Sequence, residues 1–144
     1  MPRADERGFT LIEVIVVLAI LALIAGLVLA RGPQRSAALD MRTASRAVAG
    51  ALRAARGRAI ATNQRVPVRF DPRAATLRVG AGPARALPAG IGLSVVAAAE
   101  QGAAILFLPD GSSTGGRVEL AGEGRRADVG VDWLTGRVSI ADAR

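Results

Sequence analysis

The chain has 144 residues, 51% of them hydrophobic, and a formal charge of +7 in which every cation is an arginine. It contains no cysteine and no histidine, which excludes a disulfide framework, thiol catalysis, a Ser-His-Asp arrangement and the usual zinc ligand sets. The first thirty residues are too apolar for a soluble core, so about 114 remain for a single body with one modest core.

Charge is concentrated in one segment. Arg31 to Arg65 holds eight arginines against the single acid Asp40, whereas the rest of the chain is close to balanced. Arginine is the better bidentate partner for carboxylate or phosphate, although such uniformity also follows from a compositional bias of the source genome.

The first element predicted is a helix over Phe9–Ala30, interrupted only by Thr10, Glu13 and Gly26 in an otherwise aliphatic run. As a helix it would reach about 33 Å, which matches a hydrocarbon core of about 30 Å, and it reads as membrane-inserted. Glu13 is then costly, at roughly 2.5–3.5 kcal/mol deep in lipid. Either it sits at the membrane edge without a role, or it meets a positive charge supplied by another molecule.

The string Gly8-Phe9-Thr10-Leu11-Ile12-Glu13, after a short charged leader and before the aliphatic run, resembles the prepilin signature of type IV pilins and type II secretion pseudopilins. The resemblance implies that a prepilin peptidase cuts after Gly8 and methylates the new amino group of Phe9. It also implies that Glu13 pairs with the terminal amine of a neighbouring subunit during assembly, which gives a buried charge its partner. Residues 1–8 are then a leader peptide and 9–30 the transmembrane half of a long helix. Cations are denser after this span, at Arg31, Arg35 and Arg42, than before it, so a positive-inside count would leave the body in the cytoplasm. The resemblance implies the opposite: a single-pass inner-membrane protein with its body in the periplasm.

Gly32-Pro33 predicts a kink. Helix then resumes, because Met41, Ala44, Val48, Leu52, Ala55 and Ala59 recur every three or four residues while Arg42, Arg46, Arg53 and Arg56 fall mainly elsewhere. Residues 31–61 thus form an amphipathic half whose small alanines allow close approach to a sheet. Its arginine face is solvated surface, or a contact for anionic lipid or acidic neighbours in a filament. Nucleic acid is an unlikely partner, since the chain has no Tyr, one Trp and three Phe, too few for stacking platforms.

In the remaining body, 62–144, the period changes to two. Val66, Val68 and Phe70 alternate with Pro67 and Arg69, Asp71-Pro72 makes a turn, and Ala75, Leu77 and Val79 alternate again. Pro67 points to an edge strand. A Gly, Ala and Pro-rich loop covers 80–90, and further strands are predicted at Ile91–Val96, Ile105–Leu108, Val118–Leu120, Val129–Trp133 and Val138–Ile140. One helix followed by strands argues for an α+β body with a helix over an antiparallel sheet.

Two loops stand out. In Pro109-Asp110-Gly111-Ser112-Ser113-Thr114-Gly115-Gly116 the glycines and hydroxyls suggest a phosphate cradle, but no Lys follows and the segment leads into a strand, so it reads as a broad hairpin loop. Ser112 and Ser113 have no imidazole base. In Trp133-Leu134-Thr135-Gly136-Arg137 the Thr-Gly pair supplies a turn, Trp133 packs on the sheet or in the core, and Asp132 could pair with Arg137 for about 0.2–1 kcal/mol.

With the N-terminal signature, these loops resemble the protein H family of minor pseudopilins of the type II general secretion pathway, on Pro109–Gly111, Ser113-Thr114-Gly115-Gly116 and Leu134-Thr135-Gly136-Arg137. The chain lacks the paired C-terminal cysteines of many major pilins and the clustered acids of a calcium-binding major pseudopilin, which favours a minor subunit. The expected fold is pilin-like: a long N-terminal helix, transmembrane in its first half, packed on an antiparallel β-sheet body. The expected function is structural and not enzymatic, with no catalytic site, metal or cofactor, in a pseudopilus that helps export folded proteins across the outer membrane. Expected partners are the prepilin peptidase, other major and minor pseudopilins, the inner-membrane secretion platform and the lipid bilayer. The alternatives are a minor type IV pilin serving adhesion, motility or DNA uptake, and a membrane-tethered DNA-binding module using Arg31–Arg65.

Overall fold

The structure is a computed structural model that describes residues 10–30, 36–97 and 102–143. The leader, the Gly8–Phe9 cleavage position and the Gly32-Pro33 kink lie outside the described residues. Two compact units divide the chain, 1–34 and 35–144.

The first unit contains helix α1, Leu11–Ala30. Thr10 starts it: its Oγ1 accepts from the Glu13 N–H at 3.3 Å and its carbonyl from the Val14 N–H at 3.3 Å. Glu13 lies in the first turn, where a carboxylate opposes the positive end of the helix dipole. Thr-x-x-Glu at a helix start is the pattern of a capping box. Glu13 thus has a local role at the helix start besides the one expected of it as a charge in lipid.

Two expectations are corrected here. The helical half 9–30 does not stand as a transmembrane helix, because no helix among the described residues is long and apolar enough to cross a membrane. The single-pass inner-membrane topology derived from that span falls with it.

In the second unit, α2 spans Ala37–Thr62. All six residues assigned to its apolar face are buried, together with Ser45, Ala49 and Ala51. Buried Ser45 satisfies its hydroxyl by donating to the Met41 carbonyl at 2.8 Å, the back-bonding that lets a hydroxyl sit inside a helix. Asn63 ends the helix in the left-handed region at φ 52°. The N–H of Gln64 then reaches back to the Ala59 carbonyl at 3.2 Å, and orphan carbonyls of the last turn are satisfied.

Eight strands follow: β1 Val66–Asp71, β2 Thr76–Val79, β3 Arg85–Ala86, β4 Gly92–Ala97, β5 Ala104–Phe107, β6 Gly116–Gly122, β7 Arg125–Val131 and β8 Val138–Ala143. They form two four-stranded antiparallel sheets, ordered β3-β2-β1-β5 and β4-β6-β7-β8, where a single sheet was expected. Alternation shows which side chains share a face but not which strands pair. The chain crosses from one sheet to the other before β4, returns for β5, and crosses again before β6. Helix α2 packs on strands of both sheets. The core between them is made of Val48 and Leu52 from α2, Val68, Ile105 and Phe107 from the first sheet, and Val118, Leu120 and Val129 from the second.

Pro67 is not on an edge strand, because β1 lies between β2 and β5. Its carbonyl accepts from the Gly80 N–H at 2.7 Å, just past the end of β2. A residue's amide and carbonyl point to the same side of a strand, so the missing Pro67 donor faces the place where pairing with β2 has already stopped. The loop 80–90 contains the short strand β3, which the Gly and Pro content obscured. Glu123 and Gly124 join β6 to β7 with φ of 47° and 73°, as a two-residue turn with both central residues left-handed requires.

Candidate functional site

The two loops singled out in the sequence meet at the C-terminal end of α2. Each is shaped by the same device, an aspartate that closes its turn on a nearby hydroxyl residue. The Asp110 Oδ1 accepts from the Ser112 N–H at 2.9 Å and the Ser112 hydroxyl at 2.6 Å. The Asp132 Oδ1 accepts from the Thr135 N–H at 2.8 Å and the Thr135 hydroxyl at 2.7 Å. Hydrogen bonds from Ser112, its hydroxyl foremost, hold the Asp110 carboxyl below its ordinary value of 3.8. Those from Thr135, again led by the hydroxyl, do the same for Asp132, with the Arg137 charge adding to them. Both arrangements favour the ionised carboxylate.

The loops are stitched together as well as built alike. The Ser113 N–H donates to the Trp133 carbonyl at 2.8 Å and its hydroxyl to the Asp132 carbonyl at 3.1 Å. Ser113 is only 6% exposed, and its Oγ also accepts from the Gly115 N–H at 3.0 Å. Thr114 binds β5 on both sides: its N–H donates to the Leu106 carbonyl at 2.9 Å, and its Oγ1 accepts from the Leu106 N–H at 3.1 Å. The two serines and the threonine therefore serve as backbone surrogates, and Ser113 has no geometry for nucleophilic chemistry. Pro109–Gly116 is a crossing between sheets rather than the hairpin loop expected from its composition, since β5 and β6 belong to different sheets.

Arg56 of α2 closes the assembly. Its Nε donates to the Gly111 carbonyl at 3.0 Å, and Gly136 lies against both partners. A Cβ on Gly136 would collide with the Gly111 oxygen and come within 2.9 Å of Arg56 Nε, and Gly136 has φ of +60° besides. Only glycine meets both demands without strain. The contact joins one loop to the other across the helix. Arg56 was read from the sequence as part of a solvated or partner-facing stripe; no local signal marks a guanidinium that caps a carbonyl 55 residues away.

Beside this contact a groove of about 390 Å³ opens, lined by Arg53, Arg56, Ile60, Thr135, Gly136 and Arg137 among others. Trp133 and Leu134 project from the adjoining turn, 65% and 63% exposed. This corrects the expectation that Trp133 packs on the sheet or in the core. Strand β7 ends at Val131, and the alternation that would have turned Trp133 inward ends with it. Nor does Asp132 form an ion pair with Arg137: among the described residues the salt bridge is Arg117–Asp128, at 3.7 Å.

The remaining predicted residues are not gathered here. Glu13 belongs to the first unit, and Gly8 and Phe9 lie outside the described residues. No group of three or more His, Cys, Asp or Glu suited to a metal ion occurs among the described residues.

Comparison with known proteins decides what this geometry belongs to. The family described as type II transport protein GspH matches residues 44–135, the stretch that holds most of α2, the first loop and the second as far as Thr135. The chain belongs to the GspH family. A prokaryotic N-terminal methylation motif matches residues 3–29. Among curated relatives, the type II secretion system protein H of Xanthomonas campestris pv. campestris is 36% identical over 149 aligned residues, covering 99% of this chain and 87% of that protein. The structure of the minor pseudopilin EpsH from the type 2 secretion system of Vibrio cholerae superposes with a TM-score of 0.60 at 14% identity, over 72% of this chain and 97% of that one. That likeness shows the pilin-like α+β fold. As a GspH family member the chain is a structural minor pseudopilin subunit of a type II secretion pseudopilus, not an enzyme.

Proposed function

We propose that a prepilin peptidase removes residues 1–8 by cutting between Gly8 and Phe9 and that the new Phe9 amine is methylated. The subunit then enters a pseudopilus that helps export folded proteins across the outer membrane. The match of the methylation motif over residues 3–29 carries this reading. In the filament the exposed large apolar side chains of α1, from Leu11 to Leu27, pack against the equivalent helices of neighbouring major and minor pseudopilins. Burial of that kind contributes about 25 cal/mol per Å² of apolar surface. Glu13 pairs there with the Phe9 ammonium of a neighbour while its backbone remains capped by Thr10.

Mass spectrometry of the protein recovered from functional material tests the processing step. A chain starting at methylated Phe9 is expected, and an intact leader would overturn it. Glu13→Leu is expected to be cleaved normally and to lose assembly and secretion. Normal secretion by that variant would end the charge-pairing account. Deletion of the gene should abolish secretion while leaving twitching motility intact; the reverse outcome would assign the subunit to a type IV pilus.

A further inference from the structure

The groove beside Arg56 is lined by three cations and no carboxylate, with Asp132 near enough to Arg137 to feel its charge. Arg53, Arg56 and Arg137 line it, and among the described residues none of them lies within ion-pair distance of a carboxylate. Two are partly engaged by carbonyls: Arg56 with Gly111 at 3.0 Å and Arg53 with Val138 at 3.4 Å. These bonds orient the guanidiniums without neutralising them. Ile60 and Val138 supply apolar lining, and the exposed Trp133 and Leu134 stand on the adjoining turn. Aromatic and arginine side chains around a small hollow are the composition of an interface hot spot.

We infer that this groove is a docking site for a carboxylate-bearing segment of a different pseudopilin subunit, with the acid held by Arg53, Arg56 and Arg137 and a neighbouring apolar side chain held by Trp133 and Leu134. The inference rests on the pseudopilus reading above. Charge complementarity selects the occupant, because a guanidinium fork fits a carboxylate in two parallel hydrogen bonds. A second copy of this chain is a poor donor: it carries +7 overall, and many of its own acids are already engaged. Asp71, Asp110 and Asp132 cap their own turns, Glu119 accepts from Ser94 and Asp128 pairs with Arg117. Nucleic acid would call for a phosphate-tracking stripe with several stacking rings, whereas here the cations converge on one hollow beside a single Trp.

The sequence has no cysteine, so Leu134→Cys gives the full chain a single thiol at the rim. Produced in its native host in place of the deleted gene, this variant is paired in turn with each other pseudopilin of the same system carrying one cysteine beside a surface Asp or Glu. A disulfide to one such position is expected. Arg53→Glu with Arg137→Glu should lower its yield at least tenfold, and changing the partner's acid to Arg should restore it. Trp133→Ala should lower it several-fold. Because Arg53 and Arg137 are exposed, the thermal unfolding of the reversal variant should match the parent; if it does not, Arg53→Gln with Arg137→Gln replaces it with the same expectation. Cross-links unaffected by charge reversal, cross-links between copies of this chain alone, or a low-salt DNA affinity that charge reversal abolishes would each overturn the assignment. Secretion separates the two readings. If the parent chain fails to restore secretion to the deletion strain, the pseudopilus reading fails; if parent and reversal variant restore it equally, the groove assignment alone fails.

Discussion

The two helices invert the usual relation between apolarity and burial. Helix α1 is almost entirely aliphatic, yet its large side chains are 46–79% exposed. Helix α2 is half alanine and arginine by appearance and buries nine residues on strands of both sheets. The difference lies in patterning. A helix apolar on every side offers no face to a single small body, whereas a stripe of small residues lets two sheets close on one side while arginines stay in water. Amphipathicity makes α2 part of a fold, and uniform apolarity leaves the described large side chains of α1 exposed.

That contrast can be broken by substitution. Leu52 is fully buried, so Leu52→Ala should destabilise the body by about 3.5 kcal/mol in urea unfolding, the middle of the range for truncating a buried leucine to alanine. A loss below about 1 kcal/mol would mean that the sheets do not close on α2 as described. Thr10→Ala should cost α1 about 1 kcal/mol of helix stability, read by circular dichroism of the full chain in detergent, and leave the unfolding midpoint of the body unchanged. In α1 itself, Leu18→Ala should change body stability by no more than about 0.5 kcal/mol while weakening filament assembly. Unfolding of the body by Leu18→Ala would erase the distinction between the two helices.

The smallest effect is electrostatic and belongs to the loops. Asp110 and Asp132 have carboxyls held below the ordinary value of 3.8, so the folded state binds fewer protons than the unfolded one. Their contribution is full above the unfolded value, near 4, and is lost as pH falls through the lower folded values. The protection factors of the Ser112 and Thr135 amides against hydrogen exchange, taken relative to the intrinsic rate at each pH, should therefore fall below about pH 4 and stay constant from about pH 5 to 7. Both carboxylates are solvent-exposed, so the change is expected to be modest. Asp132→Asn should remove the Thr135 part of it.

Much of this molecule was legible wherever a local period carries the information. The six-residue apolar face of α2 and the alternating runs of β1 and β2 follow from periods of 3.6 and 2 and from the Asp71-Pro72 turn. Sheet membership was not legible, because Ile105 and Val118 alternate equally well in one sheet or two. Trp133 misled because strand alternation was carried past Val131, where the Asp132 carboxylate takes over the geometry. The membrane span expected of the Phe9–Ala30 run is overturned, because no helix among the described residues is long and apolar enough to cross a membrane. Of the site, the residues of both loops were visible as unusual strings, but their meeting was not. Gly111, Gly136 and Arg56 come together through tertiary packing that no spacing encodes. The Thr10–Glu13 cap and the Glu123-Gly124 turn, by contrast, are local patterns of the kind a sequence does carry.

The clasp formed by Arg56, Gly111 and Gly136 also orders events in time. Its hydrogen bond spans 55 positions, and the neighbouring one from Arg53 to Val138 spans 85, so neither can form until the late strands and turns are in place. Contacts of such long separation are slow to find one another. The clasp thus ties the end of α2 to both late loops at once.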